Sequence, residues 1–308
     1  MKKKSEKIQK IVCCCILSFC VLTIFSCATT SAETPVCEYN ETDYIPENPH
    51  WQNATENGEI QFFDFENSLL PLRYTIAKIQ LASKNLSIVT YPDSETAFFS
   101  QKKFTHKGIS ISDFQKKTKA QLSVNTTQYF TPNDFGIFSA KRRLLGIFNA
   151  DNILFSEPVS RYAALVLERT ADGGFTARCI AHQSEELCKN DFAIGGFFLI
   201  LQNGALFDSS GNNFSYTSRD ARTAAGVSSD GQILYVLSVS GSKKQHSAGL
   251  TYPECARLLK KIGAENALEF DGGSSTAMMI CSKNVLKSQI KRKNAGYIGF
   301  LFEIKSTF

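Results

Sequence analysis

Apolar and polar residues alternate along much of this chain, and the alternation predicts strands. "LRYTIAKIQLA" from Leu72 has the period of a half-buried strand, and "LSIVTY" from Leu86 follows after the turn residues Ser83, Lys84 and Asn85. The pair predicts a hairpin. Residues 110–119 predict a short helix with Ile111, Phe114 and Gln115 inward, and "AQLSVNTTQYF" predicts a strand ending at Asn125. From Leu144 strands recur: "LLGIF", "YAALVLERT", "FTARCIA", "FAIGGFFLILQNG", "ILYVLSVSG", "ALEF", "TAMMIC" and "YIGFLFEI". Turns such as Asp172-Gly173-Gly174, Asn203-Gly204 and Asp230-Gly231 separate several of them. One helix is fully punctuated. Thr251 and Glu254 form a capping box, Cys255, Leu258, Leu259 and Ile262 make one apolar stripe, and Gly263 stands at the C′ position. The predicted class is α+β, with mixed or antiparallel sheets and few helices in a single globular domain.

The first residues follow different rules. Lys2, Lys3, Lys4, Lys7 and Lys10 precede an apolar run from Ile11 to Phe25, the basic and hydrophobic regions of an export signal. The run is short for a membrane span, and its basic flank lies on one side only. Cleavage before Cys27 resembles bacterial lipoprotein processing; cleavage after Ala32 is the alternative. We expect lipidation of Cys27, a membrane contact by acyl anchor only. This sets three segments: 1–26 signal, 27–58 a Pro- and Asn-bearing tether or irregular lead-in, and 59–308 the folded domain. The expected location is the cell envelope, with ordinary secretion as the alternative.

Charge changes meaning once the signal is set aside. The full chain of 308 residues carries a net charge of +5; residues 1–26 hold five Lys and one Glu, and the remainder carries +1. No electrostatic case for a nucleic-acid partner survives. Of ten cysteines, Cys37, Cys179, Cys188, Cys255 and Cys281 lie beyond the signal and Cys27. They form no C-x-x-C, so no zinc site or other metal is implied, and no cofactor motif occurs. Cys179 and Cys188 are candidates for a disulfide or for separate burial as small hydrophobes.

Four stretches carry candidate chemistry. "NALEFDGGSSTAMMI" places Asp271 before Gly272 and Gly273, which allow positive φ and close approach, and then Ser274, Ser275 and Thr276. The three amides can converge on an anion, or the string can be a plain turn. "SRDARTAAG" sets Arg222, a two-pronged phosphate ligand, beside Thr223; an Arg222 to Asp220 surface pair is the alternative. Gly195 and Gly196 interrupt an apolar run, the mark of a bulge, close packing or a ligand's approach. Asn125 and Thr126, with Thr127, end a strand with groups suited to sugar hydroxyls or to a turn.

Taken in order, "AIGGFFLILQNG", "RTAAGVSSDGQILYVLSVSG" and "SAGLTYPECARLLKKIGAENALEFDGGSSTAMM" resemble the phosphodiester glycosidase family. The resemblance is specific from about Gly195 to Met279, looser back to Leu72, and leaves residues 1–58 outside. It implies a carbohydrate substrate bearing a sugar 1-phosphodiester, and a cleft built from Arg222, Thr223, Asp271, Gly272, Gly273, Ser274 and Asn125. The chain departs from the family at Ser240 and Ser242, which stand where an acid and an arginine are common, and at Glu269, where asparagine is common. Cleavage through an oxocarbenium-like state needs a carboxylate for the sugar and a cation for the phosphate. Asp271 and Arg222 are the candidates. Glu269 is a second acid, about 6.6 Å along the same strand face. A non-catalytic lipoprotein that binds a glycan or polyol phosphate is the rival expectation. The sequence sets no oligomeric state.

Overall fold

The strand Ile233–Val239 shows how the layers arise. Leu234 and Val236 point into one hydrophobic core, and Tyr235, Leu237 and Val239 into another. A strand buried on both faces reads as a continuous apolar run. The computed structural model describes residues 39–98, 105–132, 141–207, 216–241, 247–286 and 292–303. Tyr39–Phe308 forms one unit. Its largest sheet has eight strands, in the order Gln52–Asn53, Ile60–Asn67, Leu72–Gln80, Ile233–Val239, Arg222–Val227, Asn266–Glu269, Leu199–Gln202 and Ala205–Leu206. The helix Tyr252–Lys261 covers one face with Cys255, Leu258 and Leu259.

The opposite face shares a core with two five-stranded sheets. One orders Ile153–Ser156, Phe148–Ala150, Phe192–Gly195, Ala164–Arg169 and Phe175–Ile180. The other orders Lys283–Asn284, Met278–Ile280, Leu122–Asn125, Tyr297–Phe302 and Leu86–Tyr91. A small three-stranded sheet joins Thr105–Lys107, Lys141–Leu144 and Tyr129–Phe130. Pairings within these sheets are antiparallel. Both helices foreseen in the sequence form, over Ile111–Thr118 and Tyr252–Lys261.

Three sequence expectations need correction. Leu72–Gln80 and Leu86–Tyr91 are not a hairpin: the first pairs with Ile60–Asn67 and Ile233–Val239, the second with Tyr297–Phe302. Between them Leu81 is fully buried, its amide bonded to Gln232 and its carbonyl to the Phe175 amide, so the chain passes between layers instead of reversing. "FAIGGFFLILQNG" is two strands in two sheets, Phe192–Gly195 and Leu199–Gln202. A Cβ on Gly196 would lie 2.6 Å from the Glu269 carbonyl oxygen, and one on Gly195 2.8 Å from that of Ile147, so only glycine fits where the chain crosses over. "LLGIF" is likewise divided, between Lys141–Leu144 and Phe148–Ala150. Cys179 and Cys188 are free thiols, which removes the disulfide alternative.

Part of the lead-in is anchored on the domain. Glu41–Tyr44 forms a helical turn, Tyr44 is fully buried, and its carbonyl accepts a hydrogen bond from the Tyr74 hydroxyl at 2.7 Å. The export signal and Cys27 lie outside the described residues.

Candidate active site

The site forms where Arg222–Val227 pairs with Asn266–Glu269, in a register that sets Ala224 opposite Glu269. Alternation then separates neighbours. Arg222, with Ala224, faces the helix, while Thr223 faces the opposite core. Glu269 also faces the helix side, diagonal to Arg222. The Arg222 guanidinium stacks 3.8 Å from the Tyr252 ring centroid, and its Nε and Nη2 donate to the carbonyls of Leu250 and Ser218 at 3.1 and 2.6 Å. Only 6% of Arg222 is exposed.

On the other face Asn125 ties the site together. Its Oδ1 accepts from the Thr223 hydroxyl and from the Ala277 amide, both at 2.9 Å, and its Nδ2 donates to the Asp271 carbonyl at 2.6 Å. The Asp271 amide donates to the Thr126 carbonyl at 2.8 Å. Asn125 is 1% exposed and three of its four hydrogen-bonding positions are taken from within, so it holds the turn. Thr126 and Thr276 are buried, and their hydroxyls have no hydrogen-bond partner among the described residues.

The Asp271 turn is a short 3-10 segment, Gly273–Ser275. Gly273 takes φ +57° and its amide donates to the Ala221 carbonyl at 2.7 Å. A Cβ on Gly272 would meet that same carbonyl oxygen at 2.9 Å, and the Arg222 Cα at 3.7 Å. The amides of Ser275 and Thr276 donate to Gly272 and Gly273 carbonyls, so two of the three amides with a possible anion role close the turn instead. Ser274 is exposed, and Asp271, Gly272 and Gly273 are half-buried at the surface.

Electrostatics divide the two acids. Burial pushes the Asp271 carboxyl up to about 6, against a hydrogen bond from Ser275 and the positive charge of Arg292, which both lower it. Glu269 is 1% exposed, and burial pushes it to about 8 despite Arg222, with the negative charges of Asp271 and Asp220 adding to the rise. Neither Glu269 carboxyl oxygen has a hydrogen-bond partner among the described residues. Burial thus raises both acids, and Glu269 more than Asp271. The two environments push the two acids apart, the pattern of an acid and a carboxylate with separate roles.

Several residues escaped the sequence reading. Tyr252, the first residue of the helix, supplies the face on which Arg222 rests. Arg292 lies two positions before Asn294, whose Nδ2 donates to the Ser275 carbonyl at 2.8 Å. No linear spacing reports either contact. Glu254 takes the expected capping position, accepting from the Thr251 amide at 2.8 Å, and it also pairs with Arg219. Ser240 is buried and donates to the Leu286 carbonyl at 3.3 Å; Ser242 lies outside the described residues. Among the described residues no group of three His, Cys, Asp or Glu side chains is placed to hold a metal ion.

The site thus sets two acids and a buried arginine at one edge of a layered antiparallel domain. The chain belongs to the phosphodiester glycosidase family, which it matches over residues 118–301. Two solved structures share the fold. One is the catalytic domain of zebrafish N-acetylglucosamine-1-phosphodiester α-N-acetylglucosaminidase, auto-inhibited by its pro-peptide, at TM-score 0.57 and 16% identity over 82% of this chain and 87% of that one. The other is a hypothetical protein from Synechocystis, at TM-score 0.60 and 16% identity over 83% of this chain and 64% of that one, so the chain spans under two thirds of its length. No curated protein sequence matches the chain.

Proposed function

We propose that this protein hydrolyses a glycosyl 1-phosphodiester in a glycan of the cell envelope, to which an acyl chain on Cys27 tethers it. The carrying observation is the pair Asp271 and Glu269, one half-buried at a glycine turn, the other almost fully covered and its carboxyl raised more strongly by burial. Asp271 stabilises the positive charge that develops on the sugar as the bond to the phosphate oxygen breaks. The group that departs with the bridging oxygen is a phosphate monoester, a weak base, so a strong proton donor at the surface is not required, and a water molecule forms the new bond at C1 to leave the free sugar. Glu269 acts from below: neutral, it adds no second negative charge beside Asp271 and leaves Arg222 as the positive background behind the departing phosphate. Arg222 thus serves as a buried charge more than as a two-pronged clamp. Ser274 and the backbone of Gly272 and Gly273 form the floor against which the sugar rests.

The reading of a non-catalytic binder draws on one observation: a buried Ser240 hydroxyl stands where the family commonly has an acid. Turnover decides between the two. The mature domain is incubated with a panel of glycosyl 1-phosphodiesters, and release of phosphomonoester is followed by phosphorus NMR, with Asp271→Asn as the control. Hydrolysis that Asp271→Asn abolishes supports the enzyme. Binding of sugar phosphates without turnover across the panel supports the binder.

A further inference from the structure

The sequence offers Asp220 as a surface partner of Arg222, but the Arg222 guanidinium goes to the Leu250 and Ser218 carbonyls and the Tyr252 ring instead. Asp220 is held by other means. Its amide donates to the Leu250 carbonyl at 3.3 Å, its carbonyl accepts from the Leu250 amide at 3.2 Å, and its Oδ1 accepts from the Ala221 amide at 2.7 Å. Two glycines close on the same backbone. A Cβ on Gly249, which takes φ +84°, would lie 2.1 Å from the Asp220 carbonyl oxygen, and one on Gly241 would lie 1.9 Å from the Ala221 nitrogen. Neither position admits a side chain. Asp220 is nonetheless exposed. An acid that served only solubility would need no such hold, whereas a reacting group must have its main chain and its rotamer fixed in advance.

The second oxygen faces the glycine turn. Asp220 Oδ2 lies 3.6 Å from the point that a Cβ on Gly273 would occupy, two residues after Asp271, and the Gly273 amide donates to the Ala221 carbonyl at 2.7 Å. Glu269 approaches from below. Its Oε1 comes within 3.4 Å of the corresponding point on Gly272, it is 1% exposed, and neither of its oxygens has a hydrogen-bond partner among the described residues. Three acids therefore border two adjacent glycines: Asp271 on the turn, Glu269 covered beneath Gly272, and Asp220 exposed against Gly273. The negative charges of Asp271 and Asp220 both reach Glu269. Of the three, the exposed and fixed Asp220 is the one placed to exchange a proton with water over the turn.

The reaction proposed above leaves one proton without an acceptor. Water that bonds C1 must lose a proton, Asp271 is committed to the charge on the sugar, and the departing phosphate monoester is a weak base. We propose that Asp220 is the general base, whose carboxylate takes a proton from the water that attacks C1 over the Gly272–Gly273 turn. In that step the water oxygen bonds to C1, and the bond from C1 to the bridging oxygen breaks with its electron pair leaving on the phosphate. The water proton passes to Asp220, which returns it to solvent. Nothing is oxidised or reduced, and no co-reactant is needed. The inference deepens the reading of the chain as a glycosyl phosphodiester hydrolase, and it rests on that reading.

The test uses the mature domain in water enriched in oxygen-18, with the methyl phosphodiesters of glucose 1-phosphate, N-acetylglucosamine 1-phosphate, mannose 1-phosphate and galactose 1-phosphate as probes. Wild type should release methyl phosphate from at least one probe, with the label in the sugar. On that probe Asp220→Asn, which keeps an oxygen for the Ala221 amide, should lose about 10²–10⁴-fold in kcat with KM little changed. Azide attacks without losing a proton. It should therefore restore Asp220→Ala at least about tenfold and form the glycosyl azide, while Asp271→Asn gains nothing. A folded Asp220→Asn protein that turns over within about threefold of wild type, or an Asp220→Ala protein that azide does not restore, overturns the inference. If Asp271→Asn is inactive in the same experiment, the enzymatic reading stands without Asp220. Cleavage of no probe, or label in the methyl phosphate in place of the sugar, overturns both together.

Discussion

Asn125 accepts a hydrogen bond from the Thr223 hydroxyl at 2.9 Å across 98 positions of sequence, and the same amide holds Asp271 and Ala277. One side chain thus joins the end of one strand, the start of another and the turn that carries the candidate carboxylate. Both partner strands lie in different sheets, so the amide also fixes how two layers meet at the site.

Asn125→Ala removes all three bonds and leaves a buried hydroxyl, amide and carbonyl without partners. We expect a loss of about 2–4 kcal/mol, since each unsatisfied buried group costs on the order of 1–3 kcal/mol and some recover water. Urea unfolding measures it. A loss below about 0.5 kcal/mol would show that the turn holds itself, and would remove Asn125 from the account of the site.

Arg222→Lys keeps the charge diagonal to Glu269 but loses the stack on Tyr252 and one carbonyl bond. Charge-assisted bonds to buried carbonyls and the cation–π contact together set an expected cost of about 2–4 kcal/mol. Tyr252→Leu should cost less, because both carbonyl bonds of Arg222 remain. If the order of the two variants is reversed in unfolding experiments, the stack and not the bonding fixes the guanidinium.

The sequence makes the strands Ile233–Val239 and Tyr297–Phe302 and the helix Tyr252–Lys261 legible, because burial and capping act over a few residues. It hides the partners. Leu72–Gln80 and Leu86–Tyr91 are near in sequence and alternate alike, yet each finds its neighbours through two-sided burial that no local turn reports. The site divides the same way. Asp271, Gly272 and Arg222 stand out as residue types beside turns, whereas Tyr252 and Arg292 enter only through packing, and Asn125 looks like a sugar ligand until its bonds are seen to close inward. The departure at Glu269 is visible in the sequence; its raised pKa follows only from burial.

Glu269 makes stability depend on pH. Its folded value, about 8, lies above the ordinary 4.5 of the unfolded chain, so folding favours the protonated form. That contribution is complete below the unfolded value and is lost as pH rises toward the folded one, at about 1.4 kcal/mol per pH unit for one proton. Asp271 adds a slope of the same sign between its ordinary 3.8 and about 6. Wild-type stability should therefore decline from about pH 5 to pH 8, and Glu269→Gln should flatten the upper part of the decline. Equal slopes in wild type and variant would mean that the Glu269 carboxyl is not desolvated as described.

The proposed anchoring through Cys27 has a direct test. We expect the mature chain to begin at an acylated Cys27, and Cys27→Ser to release it from membranes or block its processing while the domain stays folded. Mass spectrometry of the mature N-terminus gives the answer. An unmodified end at Glu33 would mean ordinary secretion.

If Asp271 is the acting carboxylate, as proposed, it sets the acid limb of activity. Only its ionised form stabilises charge on the sugar, so kcat/KM should rise with pH through about 6 and level off above it. Arg292→Gln removes a positive charge that lowers the Asp271 value, and should move the limb to higher pH without abolishing turnover. Asp271→Asn keeps the shape and removes the charge, so turnover should fall at least about a hundredfold, a barrier increase of about 2.7 kcal/mol, in a protein that still folds. The limb and the loss must come together if Asp271 is the acting carboxylate. A folded Asp271→Asn enzyme that hydrolyses a confirmed substrate at close to the wild-type rate, or a limb that stays at the same pH in Arg292→Gln, would leave Asp271 as a turn residue bonded to Ser275 and place the chemistry elsewhere in the cleft.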